Sequence, residues 1–126
     1  AEIALGIADG LAIEGLLAVE LFLTTDGRVL VNELAPRPHN TYHASERACA
    51  TSQFEQLVRA VCGLPLGAPT LTSAGAIANL LGELWLADTP PDPAAALAAP
   101  TSRLHLYGKR DARAGRKMGH LSAVGQ

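Results

Sequence analysis

The chain has 126 residues, of which 48% are hydrophobic and 17% charged, and its formal net charge is −2. This length and composition suit one compact unit or two small ones. No apolar run approaches the roughly 18 to 20 residues of a membrane-spanning helix, and no secretory leader begins the chain, so we predict a cytoplasmic protein. Cys49 and Cys62 lack metal-type spacing, and we interpret them as small buried apolar residues rather than ligands or a disulfide.

The first predicted elements are a helix and a β-hairpin. Apolar residues recurring four apart predict a helix over residues 2–9 that ends near Gly10. Two β-rich runs over residues 16–24 and 29–34 follow it. Asp26-Gly27 between these runs predicts a hairpin, because both central residues of the favoured turn require positive φ.

The register of this hairpin brings two glutamates together. If Asp26 and Gly27 form the loop, Glu20 faces Glu33 across the strands. A four-residue loop from Thr25 to Arg28 keeps this register, whereas a three-residue loop shifts it by one residue. We therefore predict a facing carboxylate pair.

The glutamate pair shares its face of the hairpin with apolar side chains. Period-two alternation places the following residues beside it: Leu16, Ala18, Phe22, Val29 and Val31. Facing carboxylates about 5 Å apart destabilise a sheet unless a cation neutralises them. One interpretation is a salt bridge to Arg28 or Arg37, or a solvent-exposed face. The other is Mg²⁺, which binds one or two protein carboxylates and takes its other ligands from water and nucleotide phosphates.

A loop containing two prolines follows the hairpin and leads into a second helix. Ser52 and Glu55 form the capping-box pattern S-x-x-E, which predicts a helix that ends at Gly63. We interpret this helix as structural, because its apolar residues share one face: Phe54, Leu57, Val58 and Val61.

From Leu64 onward the sequence predicts a small β-rich unit. The linker LPLGAP precedes AGAIANLLGELWL, which we interpret as one or two buried strands. An Ala/Pro-rich loop with one helical turn comes next, then the strand RLHLYGK and a final strand near residues 120–124.

Basic residues concentrate at the end of the chain. The last 24 residues hold one acid, Asp111, and six basic residues: Arg103, Lys109, Arg110, Arg113, Arg116 and Lys117. Three interpretations are open, namely an RNA-binding tail, a loop that binds one anionic small molecule, and a solvated loop. The glycines allow close backbone approach and aromatic residues are scarce, so the small anion fits at least as well as RNA.

Three stretches together resemble one enzyme family: GLLAVELFL…DGRVLVNELAPRPHN, TSQFEQLVRAVCGLPLG and YGKRDARAGRKMGH. They are similar to the C-terminal part of the PurK family, the ATP-grasp carboxylases that make 5-(carboxyamino)imidazole ribonucleotide. The resemblance implies an α+β fold in two parts. Residues 1–66 would be the C-terminal part of an ATP-grasp domain, an antiparallel hairpin with packed helices, and residues 67–126 a small β-rich C-terminal domain with a basic substrate loop.

The resemblance also implies a reaction of de novo purine biosynthesis. ATP, as co-substrate with Mg²⁺, phosphorylates bicarbonate to carboxyphosphate, which carboxylates the exocyclic amine of 5-aminoimidazole ribonucleotide and leaves ADP and phosphate. The implied site residues are Glu20 and Glu33 as metal ligands, Asn32 and Glu33 beside the nucleotide, Arg37 and His39 as catalytic residues, and Asn40, Lys109, Arg116 and Lys117 as substrate-binding residues.

The chain departs from the family pattern at two points. After PRPHN the family commonly has a small residue, glycine, histidine and tryptophan, where this chain has Thr41, Tyr42, His43 and Ala44. The N-terminal half that covers ATP is also missing, so we predict little or no catalysis by the chain alone and the missing half as its partner. We expect a homodimer in the full-length family, and neither nucleic acid nor membrane as a partner.

Two alternatives remain open. The formate-dependent purine transformylase of the same superfamily shares a VELF…PRPH pattern. It usually has aspartate after PRPH, so Asn40 and the TSQFEQ stretch favour the carboxylase. A non-catalytic remnant or binding module would use the basic tail for nucleic acid, but it has no evident use for the pairing of Glu20 with Glu33.

Overall fold

The computed structural model describes residues 1–125 as a mixed chain of short helices and two antiparallel sheets. The helices are α1 (Glu2–Gly10), α2 (Ser45–Ala48), α3 (Gln53–Val61), α4 (Glu83–Leu86) and α5 (Pro93–Ala96), with a 3₁₀ turn at Asn40–Tyr42. The strands are β1 (Ala18–Leu23), β2 (Val29–Ala35), β3 (Gly75–Leu81), β4 (Ser102–Leu106) and β5 (Lys117–Val124). The predicted α+β class is confirmed. No helix within residues 1–125 is long and apolar enough to cross a bilayer.

Strands β1 and β2 form the predicted hairpin, but its loop differs from the prediction. The Thr24 N–H donates to the Arg28 carbonyl oxygen at 2.9 Å, so three residues, 25–27, connect the strands. Gly27 has a φ of 83°, as the turn requires, whereas Asp26 is not in the left-handed region. The expected two-residue turn is therefore wrong, and a three-residue loop with a left-handed glycine takes its place.

A β-bulge compensates for the shorter loop. Over residues 21–23 the strands pair one residue away from the predicted register, and the predicted register returns at Glu20. The bulge adds one unpaired residue, Asn32, to β2. It also reverses the alternation, so Val29 and Val31 pair on the face opposite the glutamates. The prediction that these two valines lie beside the glutamate pair is wrong.

Helix α3 begins with the predicted cap. The Ser52 hydroxyl accepts a hydrogen bond from the Glu55 N–H at 3.1 Å, and the helix ends before Gly63, whose φ is 62°. Its apolar face is largely uncovered, because Val58 and Val61 are 55% and 65% exposed.

Strand β5 is the centre of a three-stranded antiparallel sheet in the order β3-β5-β4. It begins at Lys117, earlier than predicted, so the end of the basic segment belongs to the sheet. The stretch predicted to form one or two strands contains one, β3, because residues 83–86 form the helical turn α4. Strand β3 is also more exposed than the predicted buried strand. The single helical turn in the Ala/Pro segment is confirmed as α5.

Small residues join the hairpin part to the three-stranded sheet. Ala48 of α2 is 3% exposed, and its carbonyl oxygen accepts from the Thr72 N–H at 2.7 Å. A Cβ added to Gly75 would come within 2.7 Å of the Ala48 Cβ, so α2 and β3 approach too closely for a larger residue. The domain boundary after residue 66 stays a prediction.

Much apolar surface is uncovered in this chain. Its accessible surface is 8563 Å², whereas a folded monomer of this length exposes about 6,400 Å². Buried apolar residues are few, and they are small except for Met118. Both cysteines are free, Cys49 half-buried and Cys62 exposed, so the predicted burial is wrong for Cys62.

Candidate active site

A cleft of about 520 Å³ opens between the hairpin part and the three-stranded sheet. Residues from both parts of the chain line it: Glu20, Glu33, Arg37, Pro38, His39, Asn40, Thr41, His43, Tyr107, Lys109 and Lys117. The structure therefore brings together all predicted site residues except Asn32 and Arg116.

The two glutamates face each other across the hairpin, as their register predicts. The amide nitrogen of Asn32 donates to Glu20 Oε2 at 3.2 Å, so the bulged residue holds the Glu20 carboxylate although it does not line the cleft. Arg37 Nη2 lies 3.9 Å from Glu33 Oε1. Of the two predicted salt-bridge partners, Arg37 thus approaches the pair, whereas Arg28 binds Asp26 at 2.8 Å.

His39 is buried beside the glutamate pair. It is 8% exposed, and its Nε2 lies 3.3 Å from Glu20 Oε1. An ionised carboxylate only accepts, so Nε2 donates to Glu20, and Nδ1 shares a hydrogen bond of 2.9 Å with the Thr41 hydroxyl. The Thr41 hydroxyl therefore orients the His39 ring, a contact that the sequence did not predict.

Gln53, the first residue of α3, fixes the backbone of His39. The His39 N–H donates to Gln53 Oε1 at 2.8 Å, and Gln53 Nε2 donates to the His39 carbonyl oxygen at 3.0 Å. Gln53 is itself 8% exposed. Sequence reasoning assigned it no role; its place in the TSQFEQ stretch was the available signal.

Two lysines form the opposite wall of the cleft. Lys109 Nζ donates to the Lys117 carbonyl oxygen at 2.6 Å and lies 5.4 Å from the centre of the Tyr107 ring. Within residues 1–125, neither lysine is paired with a carboxylate. Their positive charge is available to an anion in the cleft.

The remaining predicted substrate residues differ in their placement. Asn40 lines the cleft, and its side-chain oxygen is buried with no hydrogen-bond partner in the described part of the chain. Arg116 lies outside the cleft and donates to the Asp111 carbonyl oxygen at 2.7 Å. Its loop is anchored at Gly82, where an added Cβ would collide with the Arg113 backbone.

Three histidine rings stack behind the cleft. The ring centres of His43 and His120 are 4.5 Å apart, and those of His120 and His105 are 4.6 Å apart. Burial, followed by the charges that the flanking imidazoles would carry, lowers the pKa of His120 to about 4. Burial likewise lowers the pKa of His43. His120 is therefore uncharged at neutral pH, and its Nδ1 lies 2.8 Å from the Tyr107 hydroxyl.

Two protein-family models match parts of this chain. Residues 1–54 match the ATP-grasp domain, and residues 75–126 match the phosphoribosylaminoimidazole carboxylase C-terminal domain. The N5-carboxyaminoimidazole ribonucleotide synthase of Bacillus subtilis is 50% identical over 127 residues, which cover 100% of this chain and 32% of that protein.

Solved structures give the same result. The phosphoribosylaminoimidazole carboxylase ATPase subunit from Aquifex aeolicus has a TM-score of 0.85 at 40% identity, over 99% of this chain and 39% of its own. N5-carboxyaminoimidazole synthase from Aspergillus clavatus, solved with ADP and 5-aminoimidazole ribonucleotide, has a TM-score of 0.70 at 32% identity, over 88% of this chain and 30% of its own.

The predicted family and fold are thus confirmed by sequence and by structure. The chain spans about a third of the length of the curated relatives it matches, at 32% for the Bacillus subtilis protein. It belongs to the N5-carboxyaminoimidazole ribonucleotide synthase family of ATP-grasp proteins.

Proposed function

We propose that this chain supplies one wall of the active site of an ATP-dependent carboxylase of purine biosynthesis. The enzyme would phosphorylate bicarbonate with ATP and transfer the carboxyl group from carboxyphosphate to the amine of 5-aminoimidazole ribonucleotide. The observation that carries this proposal is the cleft, where the facing glutamates, the PRPHN loop and the basic loop meet. The nucleotide and ribonucleotide in the Aspergillus clavatus complex support it.

We assign Mg²⁺ to Glu20 and Glu33. Two facing carboxylates fit this ion, which fills its remaining positions with water and phosphate oxygens. No group of three or more His, Cys, Asp or Glu side chains within residues 1–125 could hold a metal ion. The proposed site has only two carboxylates, and nucleotide phosphates would supply its other ligands. When bound, the ion would neutralise charge on the phosphates. Asn32 would keep the Glu20 carboxylate oriented toward it.

Arg37 and His39 would act on the transferred group. The Arg37 side chain is 62% exposed at the cleft, so its guanidinium would contact an incoming phosphoryl group and stabilise the charge that develops on it. His39 is held rigidly by Gln53 and Thr41. It would orient bicarbonate or carboxyphosphate in the cleft or move a proton there.

The basic wall would bind the ribonucleotide. Lys109 and Lys117 supply positive charge for its phosphate, and Asn40, which lines the cleft, would contact its amine or ring. Arg116 belongs to this assignment through the family resemblance alone. The division after residue 66 and a homodimer likewise rest on that resemblance, and the cytoplasmic location stays a prediction from the sequence.

A chimaera tests the proposal directly. Residues 1–126 would replace the matching third of the Bacillus subtilis relative, and ADP release would be measured with Mg²⁺, ATP and bicarbonate, with and without 5-aminoimidazole ribonucleotide. The isolated chain should release no ADP, because positioning ATP supplies much of the rate in phosphoryl transfer. The chimaera should release ADP only when the ribonucleotide is present.

Glu33→Gln in the chimaera tests the metal assignment. It keeps the side-chain shape and removes one carboxylate, so Mg²⁺-dependent ADP release should be abolished. Near-normal release by this variant would overturn the metal assignment. A folded chimaera that never responds to the ribonucleotide would overturn the carboxylase.

A further inference from the structure

The His43 ring stacks against two other aromatic rings. Phe54 stacks on it at 5.7 Å and His120 at 4.5 Å, with ring planes within 13° and 16° of parallel. Among the described residues, the Phe54 and His120 rings do not stack on each other. His43 also lines the cleft.

Gln53 determines which nitrogen of His43 carries the proton. The His39 backbone fixes the orientation of the Gln53 amide, since its N–H donates to Oε1 and its carbonyl oxygen accepts from Nε2. The second hydrogen on Gln53 Nε2 then points to His43 Nδ1, 3.0 Å away. Nδ1 must accept, so the proton of the neutral ring resides on Nε2.

This arrangement leaves one donor on the free edge of the ring. Nε2 of His43 has no hydrogen-bond partner in residues 1–125, and it is not among the buried unpartnered atoms. Protonation of Nδ1 would place its N–H against the N–H of Gln53 Nε2, so Gln53 disfavours the charged form of the His43 ring. Burial, which lowers the His43 pKa, acts in the same direction.

We propose that His43 is a ligand-binding residue that donates from Nε2–H to an oxygen of the anion bound in the cleft, and that Gln53 positions it by fixing its tautomer. The surrounding side chains, Arg37, Lys109 and Lys117, make the cleft suitable for an anion. A neutral donor supplies direction without adding charge to a cleft that must also release its product.

The assignment rests on the proposed function for the identity of the anion, and the shared chemistry is an oxyanion. Two sources supply one: bicarbonate with its phosphorylated form, and the phosphate of the ribonucleotide. Both would present an acceptor oxygen to Nε2–H. The experiment must therefore separate these two sources.

Nitrogen-15 NMR of the histidine side chains in the 126-residue chain tests the tautomer. His43 should show a protonated Nε2 and an unprotonated Nδ1 at neutral pH. In Gln53→Glu a carboxylate faces Nδ1, and the proton should move to Nδ1 or the ring should become cationic. A protonated Nδ1 in the unaltered chain would overturn the proposal, whatever the chimaera assay shows.

Titration of the same sample with inorganic phosphate, bicarbonate and 5-aminoimidazole ribonucleotide tests the donor and separates the sources. The His43 Nε2 resonance should move with either bicarbonate or the two phosphate ligands. His43→Phe keeps the stack but removes the donor and should weaken that ligand about tenfold. His43→Gln replaces the donor and should recover most of the affinity.

Thermal unfolding of each variant separates binding from folding. If His43→Phe unfolds like the unaltered chain and binds every ligand equally well, His43 is not a ligand donor. If none of the three ligands moves the Nε2 resonance at millimolar concentration, the proposal is also wrong. A tautomer and a phosphate response that persist without any carboxylase activity would instead count against the proposed function alone.

Discussion

Gln53→Leu should be a severely destabilising substitution despite its similar volume. Gln53 is 8% exposed and its side-chain amide serves three groups, the His39 N–H, the His39 carbonyl oxygen and His43 Nδ1. Leucine satisfies none of them. All three groups lie in a partly or fully buried region, so the cost comes mainly from leaving polar groups unpaired rather than from lost packing.

The expected magnitude follows from the number of unpaired groups. One buried donor or acceptor left without a partner costs about 1–3 kcal/mol. Three such groups with partial access of water give a loss of about 3–5 kcal/mol in unfolding free energy. That is a large share of the roughly 5–15 kcal/mol available to a small domain.

Gln56→Leu is the matched control. Gln56 lies one turn further along α3 and binds one backbone in the same two-way manner, donating to the Gly67 carbonyl oxygen at 2.6 Å and accepting from its N–H at 3.0 Å. It is less buried and serves two groups, so its loss should cost about 1–3 kcal/mol. Urea unfolding followed by circular dichroism measures both values. Equal losses for the two variants, or a loss near zero for Gln53→Leu, would refute the reasoning.

Two further predictions concern a turn and a titrating ring. Gly27→Ala should lower the unfolding free energy by about 1 kcal/mol, because its φ of 83° strains a residue with a Cβ and the space around it is open. Gly6→Ala is the control, because Gly6 has an ordinary φ and open space around it, and it should not lower the unfolding free energy. His120 has a pKa of about 4 in the folded chain against 6.5 unfolded, so the unfolded chain binds more protons between these values and stability should fall as pH drops from 6.5 to 4. His120→Phe should weaken this dependence in urea unfolding at a series of pH values, and an unchanged dependence would contradict the assigned pKa.

In the hairpin, the pairing of Glu20 with Glu33 was predicted correctly although the predicted turn was wrong. The sequence predicted that Glu20 faces Glu33 from a two-residue turn, but the loop has three residues and the bulge at Asn32 restores the pairing. Nothing in the sequence around Asn32 predicts a bulge, because a polar residue at this position is equally compatible with a regular strand. The predicted alternation of apolar residues was therefore wrong on β2, although the predicted carboxylate pair was correct.

The site shows a similar division between residues and their partners. The family resemblance of the PRPHN loop and the basic loop was enough to select most of the residues that line the cleft. The contacts that hold them were not predictable. Gln53 reaches His39 across 14 residues of sequence, and this pairing depends on how α3 meets the loop. Side-chain amides that bind backbone leave no periodic signal.

The two walls of the cleft are joined through imidazole and amide groups. From the acidic wall, Glu20 contacts His39, whose backbone is bound by Gln53, and Gln53 in turn contacts His43. On the basic side, the ring of His120 stacks on His43 and its Nδ1 meets the Tyr107 hydroxyl.

This series of contacts has a consequence for charge. Direct ion pairs between the glutamates and the lysines would also have fixed the two walls, but they would have neutralised the groups that a metal nucleotide and an anion need. Amide groups fix the geometry without neutralising the charge of the carboxylates or of the lysine ammonium groups. The lowered pKa of His120 and of His43 keeps these two rings uncharged at neutral pH, so they add no charge between the two walls of the cleft.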